Sequence, residues 1–190
     1  MLLFLQTECL PKKTQSLWLK ICLSRVIICS YLQRISVLSE EFWRVKSLEE
    51  MTDDEWEALC DGCARCCLIK LEDEETDEIH YTGVACRYLN QEVCRCSRYR
   101  DRSKIVPNCV QLTPSGARNF KWLPKTCAYR LVASGRDLPE WHYLVSGSRE
   151  TVHTANISIK DKCLSEEFVH PDALDEQIIQ WVELSDSFHG

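Results

Sequence analysis

Four thiols fall within eight residues of this chain, in the run Cys60-Asp61-Gly62-Cys63-Ala64-Arg65-Cys66-Cys67. Packing a hydrophobic core needs no such density. Binding a metal does, because short spacing lets one bend of backbone aim several thiolates at one point. Cys86, Cys94, Cys96, Cys109 and Cys127 follow, so nine of the thirteen cysteines lie between residues 60 and 127. C-x-x-C-x-x-C is also the spacing of the first three ligands of a bacterial ferredoxin cluster. The ferredoxin pattern then stops: no C-x-x-x-C-P follows, and Cys67 comes directly after Cys66. An iron–sulfur cluster here would have three local ligands and a distant fourth from Cys86, Cys96 or Cys109. Zinc would use the same residues differently. One C-x-x-C knuckle plus two remote thiolates closes a tetrahedral site, with zinc–sulfur distances of about 2.3 Å. Neighbouring side chains diverge along most backbones, so Cys66 and Cys67 are not expected to serve one ion equally. Nine thiols suffice for two four-coordinate sites, and that arrangement stays open. The spacing points to a metal and leaves its identity undecided.

These residues must be positioned by the segments around them. Ser47-Leu48-Glu49-Glu50 and Thr52-Asp53-Asp54-Glu55 both fit the S/T-x-x-E capping box. The second predicts a short helix through Trp56 and Leu59, ended by Gly62 inside the cysteine run. Leu68-Ile69-Lys70-Leu71 and Ile79-His80-Tyr81-Thr82 read as strands joined by an acidic tip, a β-hairpin. Cys86 to Cys109 reads as irregular backbone with short turns. Pro107, Pro114, Pro124 and Pro139 limit helix length in the middle of the chain. Leu174, Ile178, Trp181 and Val182 recur at helical spacing, with Ser165 and Asp172 as N-caps, and predict a C-terminal helix over about 172–184. Trp122, Trp141 and Trp181 are expected in the core. The fold class is α+β: a small single domain with an irregular cysteine-rich core clasped by metal, a β-hairpin and a C-terminal helix.

Residues 1–38 differ from the rest. They carry five Lys/Arg and one acid, whereas the remaining 152 residues carry 18 basic and 28 acidic groups. A body that acidic repels a phosphate backbone, so nucleic acid is not an expected partner. The N-terminal stretch makes a poor signal peptide, with no basic residue before its apolar start and Pro11-Lys12-Lys13 after it. No membrane span is expected either, because the apolar stretch from Leu17 to Ile35 contains Lys20, Arg25 and Arg34. Residues 1–38 are read as an extension, or as an over-long start with Val37 the true initiator, and 39–190 as the metal-binding domain. The odd cysteine count and adjacent Cys66-Cys67 argue against a disulfide scaffold and for a reduced, cytoplasmic chain.

From about Phe42 to Leu184 the chain resembles the small bacterial family with a zinc- or iron-chelating CxxCxxCC domain, and within it the YcgN-like subgroup. The motifs that carry the resemblance are Cys60 to Cys67, Ala85-Cys86-Arg87-Tyr88-Leu89, Cys94-Arg95-Cys96-Ser97-Arg98-Tyr99 and Val106-Pro107-Asn108-Cys109. Trp122-Leu123-Pro124-Lys125-Thr126-Cys127-Ala128-Tyr129-Arg130-Leu131, Trp141-His142, Ser146-Gly147 and Val152-His153 complete the set. The resemblance implies bound zinc or iron, with the family's ligands falling on Cys60, Cys63, Cys66, Cys67, Cys86, Cys96 and Cys109. Cys94 and Cys127 are additions of the subgroup, and Cys163 lies outside the motifs.

Three functions follow as expectations. The first is a metal-binding protein holding an iron–sulfur cluster or zinc. The second is a metal-dependent redox or hydrolytic enzyme, which needs His142 or His153 beside the metal. The third is a metal-sensing or metal-delivery module with a protein partner. The basic run Arg95, Arg98, Arg100, Arg102 and Lys104 is expected to pair with the Glu72–Glu78 acids or to offset thiolate charge. Asp73, Glu75 and Asp77 alternate like a calcium loop, but Glu78 stands where that loop needs glycine, so the tip is solvated. Ser146-Gly147-Ser148 lacks a nucleophile elbow and reads as a turn.

Overall fold

The computed structural model describes residues 41–184. The expectations for residues 1–38 lie outside that range, and no helix among the described residues is long and apolar enough to cross a membrane. Among the described residues, seven short α-helices and five strands, with short 3₁₀ turns between them, make up the regular structure: α1 Phe42–Val45, α2 Asp53–Ala58, β1 Leu68–Glu72, β2 Ile79–Ala85, β3 Leu89–Asn90, β4 Arg95–Cys96, α3 Arg102–Ile105, α4 Pro114–Asn119, α5 Ala128–Ala133, α6 Tyr143–Ser146, α7 Thr151–Thr154 and β5 Leu164–Ser165. The architecture is α+β, with loops and turns filling the space between elements.

The predicted hairpin is present. β1 and β2 pair antiparallel with Lys70 opposite Tyr81 and Leu71 opposite His80, and β5 adds parallel to the far end of β2. The acidic tip turns on Asp73, whose Oδ1 accepts the backbone N–H groups of Glu75 and Thr76. It is a solvated turn. β3 and β4 form a second, two-residue ladder that sets Leu89 opposite Cys96. Leu68, Tyr81, Ala85, Leu89, Cys94, Ile159 and Val182 pack together as one apolar cluster on this side of the molecule.

Both capping boxes form as the sequence predicts. The Thr52 box opens α2, and its Glu55 is buried because Lys46 Nζ donates to both carboxylate oxygens at 2.7 and 2.8 Å. Helix α2 ends at Ala58, earlier than Gly62. Its last carbonyls, which a helix leaves without partners, are taken by side chains from far along the chain. Tyr129 Oη donates to Trp56 O at 2.9 Å, Tyr143 Oη to Ala58 O at 2.6 Å, and His142 Nε2 meets Leu59 O at 3.1 Å. The backbone therefore leaves α2 just before Cys60 with its position fixed by residues 129–143.

The C-terminal helix is a correction. Residues 171–184 form two 3₁₀ turns, Pro171–Ala173 and Asp175–Gln177, followed by an irregular strap. Ile179 N–H donates to Tyr81 O, Ile178 bridges Thr82, and Lys125 N–H donates to Glu183 O. Backbone groups that an isolated helix would have paired internally are satisfied on β2 instead. Of the residues at helical spacing, Val182 and Trp181 still reach the apolar cluster, joined there by Ile179 and Leu184, whereas Leu174 is half-buried outside it and Ile178 is exposed. Ser165 caps a 3₁₀ turn over Glu166–Phe168, and Asp172 lies within a turn capped by His170. Trp122, Trp141 and Trp181 are half-buried rather than fully enclosed.

Candidate metal centre

The cysteine run is a sequence of tight bends. Gly62 has φ +82° and Ala64 φ +59°, both left-handed. Glycine adopts that conformation freely, while alanine does so at a cost of order 1 kcal/mol. The Arg95 guanidinium lies against Gly62, and a Cβ there would stand 3.1 Å from its Nη2. After Ala64 the chain enters a 3₁₀ turn over Arg65–Cys67 and passes directly into β1. Ile159 N–H donates to Cys63 O, and Cys86 N–H donates to Cys67 O, tying the run to two remote segments.

All ten described cysteines are unpaired. Eight of the nine singled out from the sequence lie within electrostatic reach of one another. The charge on Cys66 bears on Cys60, Cys63, Cys67, Cys109 and Cys127. That on Cys96 bears on Cys67, Cys86 and Cys109. The ninth, Cys94, sits in the apolar cluster, where its thiol donates to Gln91 O and its neighbour is Cys163. Cys66 is exposed and Cys67 half-buried. The interaction between the adjacent thiols lowers Cys66 to about 7 and raises Cys67. Burial pushes Cys60 up to about 12, with the Asp61 charge adding to it, and raises Cys63, Cys86, Cys109 and Cys127.

Cations surround the thiols. Lys70 Nζ donates to Cys66 O at 2.9 Å and Leu68 O at 2.8 Å, and lies over the rings of Tyr81 and Trp122. Burial lowers its pKa, and the charges of Cys66, Cys67 and Cys109 oppose that shift. Arg95 bears on Cys60 and Arg102 on Cys109. Arg98 pairs with Asp101, and Arg102 also stacks on Tyr99.

His142 is fully buried, and both ring nitrogens are engaged by backbone, Nε2 with Leu59 O and Nδ1 as acceptor from Leu144 N–H. Burial lowers its pKa. His153 Nδ1 bonds Ser158 Oγ at 2.7 Å. Ser146 bonds Ser148 O and Thr151 Oγ1 within a turn closed by left-handed Gly147. Among the described residues, no three Cys, His, Asp or Glu side chains converge closely enough to hold an ion as they are oriented. The donor chemistry nevertheless suits zinc or iron: many soft thiols, cations behind them, and one dry acid among them. That acid, Asp61, was missed in the sequence. It is 6% exposed, and its Oδ1 accepts Cys63 N–H at 2.9 Å while Oδ2 has no partner.

Residues 59–128 match the family described as "Putative zinc- or iron-chelating domain", with the signature CxxCxxCC. A UPF0260 protein of Parvibaculum lavamentivorans is 53% identical over 142 residues, covering 75% of this chain and 93% of that protein. This chain belongs to the UPF0260 family. A UPF0260 protein of Cellvibrio japonicus is 51% identical over 146 residues, 77% of this chain and 99% of its own length. One from Pseudomonas putida is 53% identical over 138 residues, 73% of this chain and 92% of its own. No solved structure matches the chain. As a UPF0260 member it carries a domain whose description is metal chelation, and the thiol neighbourhood falls within the matched residues save for the links to later segments.

Proposed function

We propose that this protein binds zinc, or iron as an iron–sulfur cluster, through Cys60, Cys63, Cys66 and Cys67, completed from Cys86, Cys96, Cys109 and Cys127. The observation that carries this reading is the gathering of eight free thiols from five stretches of chain beside Lys70, Arg95 and Arg102. Once bound, zinc would supply a tetrahedral cross-link and a cluster would supply a redox couple. The donors do not yet converge, so loading draws the run and its remote partners together, and metal binding stabilises the fold. Lys70 and the two arginines offset the negative charge that thiolates bring. A reducing, cytoplasmic compartment suits thiols kept free as ligands. A hydrolytic reading that uses His142 loses support, because backbone engages both of its nitrogens.

The test is metal and acid-labile sulfide analysis, with a visible spectrum, on protein purified without oxygen. Stoichiometric zinc, or iron with sulfide and absorption near about 400 nm, is the expected result. Protein that retains no metal and takes up neither ion on reconstitution overturns the reading.

A further inference from the structure

Asp61 Oδ2 has no hydrogen-bond partner although the residue is 94% enclosed. A buried carboxylate oxygen left unpaired costs about 1–3 kcal/mol or more. The turn at Asp61-Gly62-Cys63 needs only one oxygen, Oδ1, to receive Cys63 N–H. The free oxygen therefore gains nothing from the turn. Asp61 directly follows Cys60 and is tied through Oδ1 to Cys63 N–H, so its free oxygen is enclosed inside the cysteine run, and its charge bears on Cys60, Cys63, Cys66, Cys127 and buried His142. A buried negative group within a run of thiols is unfavourable unless a cation joins it. Left-handed Gly62 lets the backbone turn here and gives Arg95 room to lie against it.

We infer that Asp61 is a metal ligand, supplying one oxygen through Oδ2 beside the sulfurs of the Cys60–Cys67 run and Cys127. The inference rests on the metal-binding reading above and deepens it by changing the donor set from sulfur alone to sulfur with oxygen. Zinc and ferrous iron both accept such a set. The centre then holds a harder donor beside soft ones, and Oδ1 fixes the carboxylate through Cys63 N–H as a ligand's outer hydrogen bond does.

The test is X-ray absorption on the zinc-loaded full chain, with Asp61→Asn alongside. Wild-type protein should show oxygen scattering at about 2.0 Å beside sulfur at about 2.3 Å. Asp61→Asn keeps the acceptor for Cys63 N–H. It should lose the oxygen shell and at least tenfold in zinc affinity by chelator competition, while the metal-free protein melts no lower than wild type. A purely structural Asp61 predicts the reverse, an all-sulfur shell and an affinity within threefold of wild type, and that result overturns the inference while leaving the thiolate site intact. A wild-type chain that binds no zinc or iron overturns both.

Discussion

Cys63 and Cys94 are similarly dry, at 9% and 3% exposure, yet their surroundings differ in kind. Cys63 lies in a bent run, its N–H on Asp61 Oδ1, and the charges that bear on it are Asp61, Cys66 and Cys60. Cys94 lies among Leu68, Leu89 and Ile159, with Cys163 beside it. Burial raises the thiol pKa in both places. Burial alone therefore cannot tell a ligand from a core cysteine. The other thiols around each can: Cys60 and Cys66 bear on Cys63, whereas Lys160, Arg95 and Asp161 are the charges on Cys94.

Cys63→Ser gives the largest expected effect. It should remove most bound metal and, with it, the stability that metal supplies. Cys94→Ala should keep the full metal content measured by elemental analysis. Equal loss in both variants would break the comparison. On the apolar side, Ile159→Ala should destabilise by about 2–5 kcal/mol in denaturant unfolding, because Ile159 is fully buried. Its metal stoichiometry in native buffer should not change. Cys94→Ala should cost only about 1 kcal/mol, the value of a small buried group.

The smallest effect is a pH signature far from the thiols. The Arg44 guanidinium, helped by Trp43 Nε1, holds Asp137 down at about 2. A carboxyl depressed in the folded state stabilises above its unfolded pKa, near about 4, and that contribution is lost as pH falls through about 2. The pair is half exposed, so solvent screening limits it to about 0.5 kcal/mol. Asp137→Asn should lower the melting temperature slightly at pH 7. It should also flatten the fall in stability between about pH 4 and pH 2.

Local rules in the sequence were enough for the β1–β2 hairpin and the Thr52 capping box, because each depends on residues a few positions apart. The thiols of the run were legible for the same reason. The strap over 171–184 was not. Leu174, Ile178, Trp181 and Val182 have helical spacing, but the backbone partners that win are on β2 and lie about a hundred residues away. Asp61 was illegible for a related reason. An acid before glycine reads as a solvated turn, and nothing in its neighbours announces that both oxygens are enclosed. The D-G-C triplet did carry one usable signal, since aspartate two residues before a ligand can hold that residue's N–H. The separation of Cys94 from Cys96 also needed the fold, because Cys94 stands in a left-handed turn packed into the apolar cluster while Cys96 lies in the ladder opposite Leu89.

The side chains that close the end of α2 have a further effect. Trp56, Ala58 and Leu59 give their carbonyls to Tyr129, Tyr143 and His142. Segments more than seventy residues apart thus open to solvent together, as one cooperative unit. Amides at the start of the cysteine run and around residues 142–147 should exchange with deuterium on a common timescale. The left-handed bends at Gly62 and Ala64 lie just downstream of this clamp, so the run turns toward β1 from a fixed start.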